Sequence, residues 1–155
     1  ADKHKYDLVN DLLDRVDVIP NSIVLAQAAN ESGWGTSRFA REFNALFGEY
    51  TYDYSDGVVP LFREDGKKHL VKAFDSVDKS VQSYFNNLNS HYAYNDFRNV
   101  RKIMRKKNNF SNIKLLIAQL DSYAADINYI KTINLIIDVN KLDKFDEFSY
   151  SINNS

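Results

Sequence analysis

The sequence predicts a mainly α domain of the α+β class, with one small β lobe inserted after its third helix. Three observations carry this. Apolar residues recur with helical period over most of the chain, residues 49 to 73 instead gather Tyr, Thr and Val around two Asp-Gly pairs, and 155 residues, 44% of them hydrophobic, suit a single core. A second full domain would not fit, so residues 1–155 are expected to form one domain.

The elements follow in order. From Tyr6 to Val18, the apolar positions Leu8, Val9, Leu12, Leu13 and Val16 form an amphipathic helical stripe, which Pro20 stops. Ile23 to Glu31 is nearly free of charge until its last residue and follows an Asn21-Ser22 pair suited to capping, so it predicts a buried central helix. Gly33 and Gly35 end it, and Thr36 or Ser37 can cap a short third helix that closes near Phe43. In the stretch 49 to 73, Tyr50, Thr51, Tyr52, Tyr54, Val58 and Val59 favour strands, and Asp56-Gly57 and Asp65-Gly66 read as hairpin turns. The helical period returns behind Asp75-Ser76 with Val77, Val81, Tyr84, Phe85 and Leu88. Further helices are expected at about 95 to 107, 112 to 121 and 127 to 140, before a polar and aromatic tail from Lys141 to Ser155.

Composition excludes several function classes. With 20 Lys and Arg against 21 Asp and Glu, the net charge of -1 offers no global attraction to nucleic acid or to an anionic membrane. The absence of cysteine removes disulfides, thiolate metal sites and a cysteine nucleophile. Every apolar run breaks well before the roughly 20 residues a membrane-crossing helix needs. The chain opens at Ala1, compatible with a processed export leader or with a piece of a longer protein. His4, His69 and His91 lack metal-ligand spacing and no Gly-rich phosphate loop is present, so neither metal nor cofactor is expected. The basic run Arg98, Arg101, Lys102, Arg105, Lys106 and Lys107 reads as a solvated helix face, opposite a buried stripe of Phe97, Val100, Ile103 and Met104.

Glu31 is the residue with a chemical signature. An otherwise apolar helix delivers a single carboxylate at its C-terminal end, where the helix dipole and apolar neighbours both disfavour ionisation. A carboxyl that stays protonated near neutral pH is what a general acid needs to protonate a glycosidic oxygen. Trp34, about one turn on, can supply an apolar wall beside it or a stacking face for a sugar ring. The competing reading is a helix-end carboxylate that merely caps or pairs with an arginine.

The run Ser22-Ile-Val-Leu-Ala-Gln-Ala-Ala-Asn-Glu31-Ser-Gly-Trp-Gly-Thr-Ser37, followed by Asn44-Ala-Leu-Phe-Gly48, resembles the signature of the bacterial glucosaminidases of glycoside hydrolase family 73, and most closely their Bax-like branch. The resemblance continues through Phe74-Asp-Ser-Val-Asp-Lys-Ser-Val81 and Tyr84-Phe-Asn-Asn-Leu-Asn89 to Leu120-Asp-Ser-Tyr-Ala124. It implies a lysozyme-like helical domain, a β-hairpin lobe flanking an active-site cleft, and endo-acting cleavage beside N-acetylglucosamine. On the matching positions Glu31 becomes the catalytic acid. The family places a second carboxylate on the β lobe roughly thirty-odd residues downstream, which selects Glu64, with Asp65, Glu49 and Asp56 as rivals because neighbouring strand residues face opposite ways.

A further family element, Gly-Tyr-Ala-Thr-Asp-Pro-x-Tyr, is matched by Ser122-Tyr123-Ala124-Ala125-Asp126-Ile127-Asn128-Tyr129, where Gly, Thr and Pro are replaced. By this resemblance Tyr123 is the active-site tyrosine that orients the acetamido group or the reacting water, and Asp126 caps the next helix. Asn44, Phe47, Tyr50, Tyr52 and Tyr129, with Trp34, are expected near the substrate. The implied partner is peptidoglycan or a related N-acetylglucosamine-containing glycan, met by a monomer in the periplasm or cell envelope. Alternatives are a lytic transglycosylase on the same polymer, an endoglycosidase on the N-glycan chitobiose core, and a non-catalytic glycan-binding module.

Overall fold

In the computed structural model, which describes residues 2–147, seven α-helices and a three-stranded antiparallel sheet carry the regular structure. The helices are α1 (Asp2–Arg15), α2 (Asn21–Glu31), α3 (Arg38–Phe43), α4 (Val77–Ser90), α5 (Asn95–Lys106), α6 (Lys114–Ile117) and α7 (Tyr129–Asn140). Between α3 and α4 lie β1 (Tyr50–Thr51), β2 (Gly57–Val58) and β3 (Leu70–Lys72), and 3-10 turns occupy Tyr92–Tyr94, Asp121–Tyr123 and Leu142–Phe145. The mainly α class with a small β lobe after the third helix is therefore as the sequence predicts. Of the expected tail, residues 148–155 lie outside the described residues. The chain divides into two compact units, Gln27–Phe85 and the described residues on either side of it.

In the unit formed by the two ends, Ile19, Ile23, Leu88, Phe97, Leu116, Ile117, Leu120 and Ile133 are buried at 2% exposure or less. Two expectations need correction here. The basic run on α5 is a solvated face only at Lys106 and Lys107: Arg98 is 6% and Arg101 0% exposed, Lys102 and Arg105 are half-buried, and Ile103 of the expected buried stripe is 53% exposed. The reason lies in unpaired carbonyls at helix ends, which need donors when they are buried. Arg101 donates Nη1 to Asp17 O at 3.0 Å and Val18 O at 3.2 Å, Nη2 to Arg15 O at 3.1 Å and Asp14 O at 3.3 Å, and Nη1 to Asn89 Oδ1 at 2.8 Å. Arg98 does the same for Leu88 O at 2.8 Å and His91 O at 2.9 Å. Arg105 forks onto Asp17 at 3.1 and 2.6 Å, and Lys102 pairs with Asp14. The two Nη groups of the Arg101 fork satisfy clustered acceptors that no apolar side chain could, while its Nε is buried without a hydrogen-bond partner.

The second correction concerns α1. The helix forms as its spacing predicts, yet Leu8, Leu12 and Leu13 are 57%, 58% and 63% exposed. Its C-terminal end is held by α5 through the bonds just described. The start of α2 is also held from afar: Ser22 donates its main-chain N and its hydroxyl to the Asp146 carboxylate at 2.8 and 2.6 Å. That carboxylate takes the capping role the Asn21-Ser22 pair was expected to supply locally, while Asn21 Nδ2 donates to Phe145 O at 2.9 Å.

In the other unit, Ser37 caps α3 by accepting from Ala40 N at 3.1 Å. Ser76 accepts from Lys79 N at 3.2 Å ahead of α4. The sheet order is β1-β3-β2, with Tyr50 opposite Val71 and Gly57 opposite Lys72. Asp65-Gly66 is a turn, closed by Lys67 N to Glu64 O at 3.1 Å with Gly66 at φ 84°. Asp56-Gly57 is not: Gly57 sits inside β2, where a Cβ would fall 2.6 Å from both Leu70 Cβ and Thr51 Cγ2. That glycine marks a close approach of strands rather than a hairpin tip. The buried face of α4 is also shifted, centring on Ser80, Tyr84 and Leu88 at 1%, 0% and 0% exposure, whereas Val77 is 48% exposed.

Burial lowers the Arg101 guanidinium to about 10, with Asp17 acting the other way, so it remains charged at neutral pH. Removing it leaves the carbonyls of residues 14 to 18 without their donor. Arg101→Met should therefore lower stability by about 3 kcal/mol or more, and Arg101→Lys should recover only part of it. Chemical denaturation of the three proteins checks this, and a Lys variant as stable as wild type would contradict the role of the fork.

Candidate active site

Glu31 is the last residue of α2, and the chain leaves the helix through a left-handed turn. Gly33, Trp34 and Gly35 have φ of 57°, 57° and 76°. Trp34 N donates to Ala29 O at 2.7 Å, Ser37 N to Ser32 O at 3.0 Å, and Gly35 N to the buried Ser32 hydroxyl at 2.8 Å. A bulky residue is seldom found in this backbone region. The Trp34 ring is 61% exposed, so the turn offers an aromatic face to solvent rather than a buried wall.

The Glu31 side chain is half-buried, and its Oε1 accepts from Asn30 Nδ2 at 3.4 Å. Its other oxygen lies against Gly48, where a Cβ would come 2.7 Å from Glu31 Oε2. Gly48 also has φ 65°. The left-handed conformation favours glycine there, and a Cβ would have to push the Glu31 carboxyl aside.

What holds Gly48 in place is one face of α4. Leu46 N donates to Ser80 Oγ at 3.3 Å, the Phe47 ring stacks on Tyr84 with centroids 4.1 Å apart, and Ser83 Oγ donates to Glu49 Oε2 at 2.6 Å. Positions 80, 83 and 84 share a helical face, so three consecutive attachments can fall on residues 46, 47 and 49. Tyr84 in turn donates its hydroxyl to Gln27 Oε1 at 2.6 Å, and Gln27 stands one turn before Glu31 on α2. Phe47, expected near substrate, is thus a packing residue at 2% exposure. Asn44 ends α3 in the left-handed conformation and donates Nδ2 to Phe74 O at 2.9 Å, which commits its amide to the backbone. Sequence reasoning passes over Gln27, Ser80 and Ser83. The available signal was polar residues at helical spacing inside otherwise apolar faces.

The lobe carboxylates stand in contrasting surroundings. Glu64 has a side chain 74% exposed in the 64–67 turn, paired with Lys67 Nζ at 2.7 Å. That hydrogen bond and charge hold its carboxyl below the usual range. Asp65 is exposed, and Asp56 accepts from Thr51 Oγ1 at 2.9 Å within the lobe. Glu49 differs: burial pushes its carboxyl up, against the opposing pull of the Ser83 hydrogen bond and of Lys72. Its Oε1 is buried without a hydrogen-bond partner, and its main-chain oxygen accepts from Lys72 N at 2.8 Å.

Tyr123 and Tyr129 belong to the other unit. Tyr123 ends a 3-10 turn with its ring half-buried, nearly parallel to Tyr129 at 5.7 Å and tilted against Tyr94 at 6.1 Å. Tyr129 is 2% exposed at the start of α7. Asp126 accepts from Asn128 N at 2.8 Å and, through its main-chain oxygen, from Tyr129 N at 3.0 Å, a turn that leads into that helix. Tyr50 and Tyr52 are 67% and 76% exposed, the former with its ring 4.8 Å from that of His69. Among the described residues no three His, Cys, Asp or Glu side chains gather as a metal site, and no helix is long and apolar enough to cross a membrane.

The fold is shared with a known catalytic domain: that of the autolysin Auto from Listeria monocytogenes superposes with a TM-score of 0.59 at 23% identity, over 81% of this chain and 74% of that one. The chain belongs to the glucosaminidase family, whose model, described as mannosyl-glycoprotein endo-beta-N-acetylglucosaminidase, matches residues 6–142. It is thus a domain of glycoside-hydrolase class. It is 42% identical over 115 residues to Protein bax of Escherichia coli K12, covering 74% of this chain. To Exo-glucosaminidase LytG of Bacillus subtilis 168 it is 27% identical over 146 residues, covering 91%. The chain spans 40% and 51% of the length of these two relatives.

Two predictions follow from the geometry. A methyl group at position 48 must displace the Glu31 carboxyl or the strap formed by residues 46–49, so Gly48→Ala should lower glycan turnover by about a hundredfold while the fold persists. Steady-state kinetics with a circular-dichroism control tests it, and wild-type turnover would remove the contact from the argument. Glu49 has a folded pKa raised above its ordinary 4.5, so the stability it contributes is present below that value and lost as pH rises through the folded pKa. The melting temperature of Glu49→Gln, taken relative to wild type, should therefore climb between pH 4 and pH 7. A flat difference would contradict the burial effect.

Proposed function

We propose that this chain is an endo-β-N-acetylglucosaminidase domain that hydrolyses the glycan strands of peptidoglycan, with Glu31 as its general acid. The observation that carries the reading is the half-buried Glu31 carboxyl seated against the Gly48 backbone at the end of α2. Such a carboxyl donates its proton to the leaving glycosidic oxygen as the bond breaks, and water captures the oxocarbenium-like sugar. Trp34 and Tyr50 contribute exposed ring faces for sugar stacking. Asn44 and Phe47 are assigned to shape the substrate-binding region through packing, and Tyr129 is assigned to substrate binding on the family resemblance. Tyr123 is assigned to orient the acetamido group or the attacking water.

Glu64 is the assigned second carboxylate. To act it must leave Lys67, after which a separation of about 5 Å from the acid supports direct attack and about 6.5 to 9.5 Å leaves room for a water. Glycan cleavage outside the cytoplasm, in the periplasm or cell envelope and by a monomer, completes the proposal. Support comes from the family membership and from the name of the Bacillus relative, an exo-glucosaminidase. That name also makes end-wise cleavage the outcome to separate from endo action. The family description, which names mannosyl-glycoprotein, supports a second reading in which the substrate is an N-glycan chitobiose core.

Glu31→Gln should reduce turnover by roughly 10²- to 10⁴-fold with glycan binding retained, because the amide keeps the shape and lacks the acidic proton. Glu64→Gln should cost less. Mass spectrometry of a peptidoglycan digest reads the rest: long fragments with reducing N-acetylglucosamine ends are expected. Released monosaccharide would mean exo action, anhydro-muramic ends a transglycosylase, and cleavage of a high-mannose glycoprotein alone the second substrate.

A further inference from the structure

Glu49 is a half-buried carboxyl in the Gln27–Phe85 unit that the proposed chemistry leaves unused. Ser83 from α4 meets it with a hydrogen bond of 2.6 Å and Lys72 from β3 lies near its charge, while the preceding residue, Gly48, lies against the Glu31 carboxyl at the end of α2. Burying a carboxyl with one oxygen unpartnered works against folding, and an apolar side chain would not incur that cost. The position of the residue accounts for it. Gly48 has no side chain with which to anchor itself, so its place beside Glu31 depends on residues 47 and 49. Phe47 is fixed by its stacked ring, a non-directional contact that permits sliding. On the other side, the main-chain bond of Glu49 to Lys72 reaches only into a lobe whose strands are two and three residues long. The Ser83 bond is what ties residue 49 to the long helix α4, of 14 residues.

We propose that Glu49 is a positioning residue: its carboxyl, tied to Ser83 on α4, clamps the Gly48 backbone against the Glu31 carboxyl and so fixes where the acid points. This rests on the reading of Glu31 as the acid. It differs from a second-carboxylate role, because what Glu49 supplies is a hydrogen-bonded anchor of a given shape, which an amide can also supply, rather than a charge delivered to substrate.

The test compares wild type, Ser83→Ala, Glu49→Ala, Glu49→Gln and Glu31→Gln on peptidoglycan and on a high-mannose glycoprotein, and follows the Gly48 amide shift against pH by NMR in the same proteins. The part of the Gly48 response that disappears in Glu31→Gln reports the Glu31 carboxyl. Ser83→Ala and Glu49→Ala should each lower kcat by about tenfold with KM within about twofold, and both should shrink the Glu31-dependent Gly48 response. Glu49→Gln should recover most of the kcat and of the response. Unchanged kcat and response in Ser83→Ala and Glu49→Ala would overturn the proposal, as would a Glu49→Gln protein as impaired as Glu49→Ala. Should Glu49→Ala fail to fold, Ser83→Ala decides alone. Should Glu31→Gln keep full turnover, or the wild type cleave neither glycan, the acid assignment falls while the Gly48 response still judges the clamp.

Discussion

The close approach of a carboxyl to a backbone that can carry no side chain is the constraint around which the Gln27–Phe85 unit is arranged. A carboxyl on a helix end is ordinarily free to rotate into solvent. Here Glu31 is confined on one side by Gly48, and Gly48 is confined by attachments of residues 46, 47 and 49 to one face of α4. Each link is local in geometry and distant in sequence: Leu46 to Ser80 and Glu49 to Ser83 both span 34 residues. The β lobe is the chain that lies between the strap and α4, so the strands need only bring the chain back. Strands of two and three residues suffice for that.

The other unit applies the same logic with arginines. Buried helix ends expose carbonyls that water can no longer reach, and the fold answers with guanidinium forks from α5. The charge is retained because several acceptors converge on it and because Asp17 and Asp14 lie nearby. Such sites contribute less to net stability than to uniqueness, since a single alternative packing would strand a buried charge. The exposed apolar stripe of α1 fits this: the helix is located by its C-terminal carbonyls and the Asp14 carboxylate rather than by its apolar side chains.

These two devices also explain which features were legible in sequence. Helices α1, α4, α5 and α7 came from periodicity, α2 from a nearly charge-free run, and the α3 start from a serine with its own downstream amide to bind, because these signals are encoded within a few residues. The place of Glu31 at the end of α2 was legible for the same reason, as the lone charge in an apolar run. The failures share a cause too. Arg98 and Arg101 have the composition of a surface stripe, and only the position of distant carbonyls buries them. Gly57 beside Asp56 has the composition of a turn, and only the approach of β3 makes it a strand residue. Ser80 and Ser83 differ from solvated serines solely in what the strap brings to them.

The lobe carboxylates show how far environment, rather than residue type, decides chemistry. Glu49 and Glu64 share a side chain and lie in the same unit, yet burial drives one upward and Lys67 drives the other downward. Environments that push paired titratable groups apart are how a protein assigns acid and base work. Glu64, anionic and in solvent, has the protonation state a base or nucleophile requires but is held by a surface ion pair, which is weak and readily exchanged. Glu49 has the rigidity such a role requires but is enclosed, with its reachable oxygen already bound to Ser83. Mobility with charge and rigidity with burial are thus divided between two residues. On the proposed reading of Glu31 as the acid, a fixed anchor beside it and an exposed carboxylate that can exchange partners are the complementary parts that such a division allows.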